Sequence, residues 1–115
     1  MDERLERALA FGNYRITIEN RRKAIVRRFE NMLTVYHHNG MFVANQETIA
    51  FVDTLIRQNH KDAILLDSKN NPIEIDDLVA FRDVLFDAYF AATNEYLTEV
   101  RKLKKARDVK KAMDW

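Results

Sequence analysis

Asp77–Leu103 reads DLVAFRDVLFDAYFAATNEYLTEVRKL, with neither a glycine nor a proline. Leu78, Phe81, Leu85, Ala88, Tyr89, Ala92, Tyr96, Val100 and Leu103 recur at helical spacing, which puts them on one face. Asp76-Asp77 supplies carboxylates where a helix N-terminus needs acceptors. The stretch therefore predicts a long helix over 77–111. The whole chain of 115 residues holds one proline and two glycines, so few turns are forced and the other elements should be long as well.

Working outward, residues 3–38 read as a second long helix. Phe11, Ile18, Ile25 and Met32 repeat every seven residues, with Tyr14, Phe29 and Tyr36 on or beside the same stripe. Gly12-Asn13 is its weak point, because glycine costs up to about 1 kcal/mol against alanine in a helix interior. His37-His38-Asn39-Gly40 ends this helix, with Gly40 suited to a left-handed closing conformation.

The middle of the chain, 41–75, is different. Met41-Phe42-Val43 is a short extended candidate. Asn45 is a good N-cap for a short helix at 46–58, with Ile49, Val52, Leu55 and Ile56 on one face. Ala63–Leu66 and Ile73–Ile75 flank the dense turn signal Asp67-Ser68-Lys69-Asn70-Asn71-Pro72, which predicts a β-hairpin. Met41–Val43 can add a third strand to it.

The expected fold is mainly α with a minor β part. An antiparallel pair of long helices carries a small β-hairpin and a short helix at the turn end, all in a single domain, 1–115. Charge supports that register. Residues 1–40 carry eight basic and five acidic side chains, and 77–100 carry one basic and five acidic. Antiparallel pairing sets Arg21–Arg28 against Asp83, Asp87 and Glu95, and Asp2, Glu3 and Glu6 against Arg107–Lys111. Exposed pairs are worth only about 0–1 kcal/mol each, so they set alignment more than stability.

Two helices make a thin core. Leu5, Leu9 and Ile16 lie off the main stripe of the first helix, and Phe90 and Leu97 off that of the second. The hairpin and short helix can cover apolar flanks only near the turn end. Self-association or a partner is therefore expected at Leu5, Leu9, Ile16, Phe90 and Leu97.

Chemistry is sparse. Without cysteine there is no disulfide, thiolate nucleophile or zinc knuckle. Two isolated glycines build no phosphate-binding loop, and the one serine, Ser68, sits in a turn. His37 and His38 are adjacent and point apart, unlike the i, i+4 pair of a helical metal site. The 67–72 loop lacks the ligand spacing and terminal glutamate of a calcium loop. No catalytic, metal or cofactor residue and no small-molecule substrate is expected. Met1-Asp2-Glu3-Arg4 is not the start of a secretory signal, and no stretch approaches the roughly 20 apolar residues of a membrane span.

The sharpest charge feature closes the chain. Arg101, Lys102, Lys104, Lys105, Arg107, Lys110 and Lys111 lie within eleven residues and are followed by Trp115. A basic helix end complements the helix dipole, and it also suits phosphate or an acidic protein surface. The terminal tryptophan is a natural interface anchor. These eight residues are the expected partner-binding set, with nucleic acid and acidic protein as alternative partners.

Four segments together carry a resemblance. They are Leu5-Glu6-Arg7-Ala8-Leu9-Ala10-Phe11, Phe51-Val52-Asp53-Thr54-Leu55-Ile56, Leu65-Leu66-Asp67-Ser68-Lys69-Asn70-Asn71-Pro72-Ile73 and Lys104-Lys105-Ala106-Arg107-Asp108-Val109-Lys110-Lys111. Their layout resembles small head-assembly proteins of T-even-type tailed bacteriophages and their marine cyanophage relatives, in particular a minor prohead core protein. The resemblance implies a non-enzymatic role in the host cytoplasm, inside the procapsid. It implies co-assembly with the main scaffold, here as the basic partner of an acidic scaffold protein, while a homo-oligomer is the expectation from the uncovered apolar flanks.

Overall fold

A computed structural model of the chain describes the backbone of residues 2–114 and the side chains of residues 2–108. The elements run α1 (Glu3–Met32), β1 (Thr34–His37), β2 (Gly40–Val43), α2 (Gln46–Arg57), β3 (Ala63–Leu66), β4 (Pro72–Ile75) and α3 (Leu78–Asp114). The fold is mainly helical, with two small antiparallel hairpins and a short helix between the two long ones. The chain divides into two compact units, residues 29–94 and residues 1–28 with 95–115.

The 29–94 unit holds nearly all of the buried apolar side chains. Ile75, Leu78, Phe81, Leu85 and Val52 are fully buried, and Val35, Phe42, Ala44, Ile49 and Leu65 pack with them. Burial of each of the larger of these side chains is worth roughly 1.5–3 kcal/mol. Local signals place these residues. Asn45 caps α2 by accepting from the Thr48 N–H at 2.9 Å, which turns Ile49 and Val52 inward. Asp77 does the same for α3 through Ala80 N–H at 3.0 Å, and the Leu78 N–H donates to the Lys61 carbonyl at 3.0 Å. Asp53 of α2 takes Arg82 of α3 at 3.0 Å and Arg57 at 2.9 Å.

The first helix ends at Met32 and not at 38. Leu33-Thr34-Val35-Tyr36 leaves it as a strand in which Leu33 and Val35 are buried while Tyr36 is 76% exposed. That alternation has the period of a sheet. β1 pairs with β2 from Thr34↔Val43 to His37↔Gly40, and the two-residue loop His38-Asn39 has φ of 49° and 67°. A two-residue hairpin of this type needs left-handed residues at both loop positions. The left-handed conformation expected at Gly40 therefore falls on its two predecessors. Gly40 is a buried strand residue, and it is small for another reason. A Cβ there would sit 2.6 Å from Ile73 Cγ1 and 2.8 Å from Phe42 Cε2.

Met41–Val43 is likewise not a third strand of the later hairpin. β3 and β4 form their own two-stranded sheet, registered from Ala63↔Ile75 to Leu66↔Pro72. A turn contact joins the two hairpins instead. Both the N–H and the hydroxyl of Ser68 donate to the Met41 carbonyl at 2.8 Å. The weak point at Gly12-Asn13 does not interrupt the helix, since α1 is continuous through it.

Candidate association site

In the unit formed by residues 1–28 and 95–115, α1 and α3 run antiparallel. Tyr14 donates its hydroxyl to the Ala106 carbonyl at 3.4 Å, and Arg28 makes a two-pronged ion pair with Glu95. Glu95 holds the Arg28 guanidinium above its ordinary range, through the hydrogen bond and then through its charge. Arg28–Glu95 is one of the cross-helix pairs that charge segregation predicts.

The packing between these segments is thin. α1 has no buried residue along its thirty, and Leu103 of α3 is the one buried core residue of this unit among those described. Ile18, Ile25 and Val26 are only half-buried. Helices that meet along one narrow stripe leave their remaining apolar surface in water.

A trough runs along the join. Its two adjoining cavities, about 600 and 450 Å3, share Ile18, Arg22 and Arg107. Phe11, Tyr14, Ile25, Tyr96, Val100 and Leu103 give it apolar walls, and Arg15, Arg22, Lys104 and Arg107 outnumber Glu19 and Asp108 along its rim. Arg15 lies over the Phe11 ring, 5.9 Å from its centroid. An apolar floor under a cationic rim fits an amphipathic helix whose polar side is acidic.

No protein-family model, curated protein or solved structure matches the chain.

Each expected self-association residue lies on the surface. Leu5, Leu9, Ile16, Phe90 and Leu97 are 49%, 51%, 58%, 54% and 47% exposed. Leu5, Leu9 and Ile16 share the face of α1 that points away from the helix pair. Phe90 belongs to the other unit, where it stacks on Phe86 with centroids 5.9 Å apart. Of the expected partner-binding set, Arg101, Lys102, Lys104, Lys105 and Arg107 are exposed. Lys102 engages Glu99 at 3.3 Å, while Lys104 and Arg107 turn to the trough. The side chains of Lys110 and Lys111, and all of Trp115, lie outside the described residues.

Sequence reasoning missed Arg15 and Arg22 as site residues. Their seven-residue spacing beside the Phe11–Ile18 stripe was the available signal. It placed Asp67 in the hairpin turn but missed that its carboxylate is buried. Asp67 accepts backbone N–H bonds from Asn71, Lys69 and Met41 at 2.8, 2.9 and 3.2 Å. His37 lies against Phe81 at 4.9 Å, and His38 pairs with Asp76 at 3.3 Å. Among the described residues no three His, Cys, Asp or Glu side chains are grouped as a metal site, and no helix is long and apolar enough to cross a membrane.

Proposed function

We propose that this chain is a non-enzymatic assembly protein that acts by helix-mediated association, in the manner of a minor prohead core or scaffold component of a tailed bacteriophage. The observation that carries the association reading is α1, a thirty-residue helix with no buried residue and with Leu5, Leu9, Phe11 and Ile16 all at least 39% exposed. Apolar patches rimmed by charge are the usual mark of a protein interface. The basic rim of the trough favours an acidic scaffold helix as one partner, and a second copy of the chain is the other. The phage setting rests on the resemblance in the four segments quoted above, and with it the host cytoplasm and the procapsid interior as the place of action.

Light scattering across a concentration series tests the association reading. Mass that rises with concentration supports association with a second copy, and a strict monomer at the highest concentration removes that partner.

A second reading is an adaptor that binds nucleic acid or a host protein through its basic C-terminal helix. Exposure of Arg101, Lys102, Lys104, Lys105 and Arg107 favours it. Phosphate binding by such a segment falls steeply with salt. A gel shift with random DNA, titrated with salt, separates the readings. Binding lost at high salt favours the adaptor, and none at low salt removes its nucleic-acid form.

A further inference from the structure

Leu5, Leu9, Gly12 and Ile16 follow one another at intervals of four, three and four residues. At 100° per residue they fall within about 60° of each other, on the side of α1 opposite Tyr14, Ile18 and Ile25. This is the spacing of a short coiled-coil seam. The three large members are each about half-exposed. Gly12 is the unexpected member. It has no left-handed φ, and a Cβ there would meet nothing within 4 Å. Nothing in the described residues of the single chain asks for glycine here, and the helix itself is weakened by it.

Resting on the association reading, we infer that a second copy of this chain docks on this seam in antiparallel orientation. The spacing four, three, four is the same read in either direction. In an antiparallel pair Leu5 of one copy therefore faces Ile16 of the other, and Leu9 faces Gly12. The absent Gly12 side chain becomes the hole that receives a leucine. Charge agrees. Arg4 of one copy comes beside Glu19 of the other, and Asp2 comes within about one helical turn of Lys23. A parallel pair would set Gly12 against Gly12, leaving a void, and would oppose Lys23 to Lys23 and Arg27 to Arg27. Like charges and voids both cost stability. The antiparallel contact is two-fold symmetric, so it closes at a dimer. It is also short, with four seam residues from each copy, so the dimer dissociates on dilution.

The chain contains no cysteine, so one introduced thiol reports its own neighbourhood. Leu5 and Ile16 are exposed, and substituting them leaves the core intact. Under mild oxidation, a mixture of Leu5→Cys and Ile16→Cys proteins is expected to form a disulfide-linked heterodimer. Each alone should not link, because the antiparallel seam sets two copies of position 5 about 16 Å apart. Self-linking of Leu5→Cys alone overturns the antiparallel register. A dimer in light scattering with none of these links overturns the seam and leaves association itself standing. A monomer at every concentration overturns the seam together with association between copies. Gly12→Leu supplies an independent reading, since it should raise the dimer dissociation constant at least about tenfold while making the monomer more resistant to heat. A dimer unchanged by Gly12→Leu also overturns the proposal.

Discussion

Asp67 accepts a hydrogen bond from the Met41 N–H at 3.2 Å, tying the turn of the second hairpin to the second strand of the first. The two sheets share no strand pairing, so this contact and the Ser68 bonds to the Met41 carbonyl join them alongside the packing of Ile73 against Gly40. Asp67→Asn is nearly isosteric but replaces one accepting oxygen with a donor. One N–H among those of Met41, Lys69 and Asn71 then faces another donor. The melting temperature is expected to fall by roughly 5–10 °C, read by circular dichroism. An unchanged Tm would show that the carboxylate adds nothing to the packing and the Ser68 bonds between the hairpins.

Acid should destabilise the protein in two stages. Burial, and then the neighbouring His38, push His37 below its ordinary value of 6.5, with Asp76 opposing them. The unfolded chain therefore takes up a proton near pH 6.5 that the folded chain resists. Stability from this source is complete above that pH and declines as the pH falls toward the depressed folded value. The Asp67 carboxyl is held below its ordinary range by the Asn71 N–H first, against burial, and by Met41 and Lys69 as well. Its contribution stands above the usual carboxylate range and is lost as the pH falls through the folded value. Denaturant midpoints along a pH series should show both falls. His37→Phe, which keeps a ring against Phe81, should remove the upper fall and leave the lower one.

The two glycines should respond in opposite directions. Gly40→Ala drives a Cβ into Ile73 and Phe42 and is expected to cost about 1–3 kcal/mol. Gly12→Ala meets nothing within 4 Å and is expected to stabilise dilute protein by up to about 1 kcal/mol. Chemical denaturation of the two variants measures both.

Leu103→Ala removes the one described buried residue of the 1–28 and 95–115 unit. A cost of about 2–5 kcal/mol is expected. Amide exchange should locate it. Protection should drop over residues 3–28 and 95–108 and persist over 29–94, where Phe81, Leu85 and their neighbours pack without Leu103. A uniform loss across the chain would mean that the two units unfold as one.

Much of this fold was legible in the sequence, and the misreadings have physical causes. The stripe from Leu78 to Leu103 fits only a helix, and Asn45 and Asp77 cap where their side chains predict. The end of α1 was not legible because Met32 and Tyr36 continue a helical period while Leu33, Thr34, Val35 and Tyr36 also fit a strand. Contact with the Phe42 and Phe81 core decides between the two, and that lies outside the local sequence. The first hairpin was hidden because its left-handed positions are His38 and Asn39 while the nearby glycine serves a steric need. On the site, the exposure of Leu5, Leu9 and Ile16 could be read directly from their place off the main stripe. The trough could not, because Arg15 and Arg22 become its rim only once α3 lies alongside.

A helix without a single buried residue also bears on the fate of the protein in a cell. Local propensity and a narrow stripe are what hold α1 in a lone copy, and proteases cut where backbone opens most readily. Docking would close that backbone against opening. Copies that join an assembly would then be spared and surplus copies removed, so the abundance of the chain would track the number of binding places open to it.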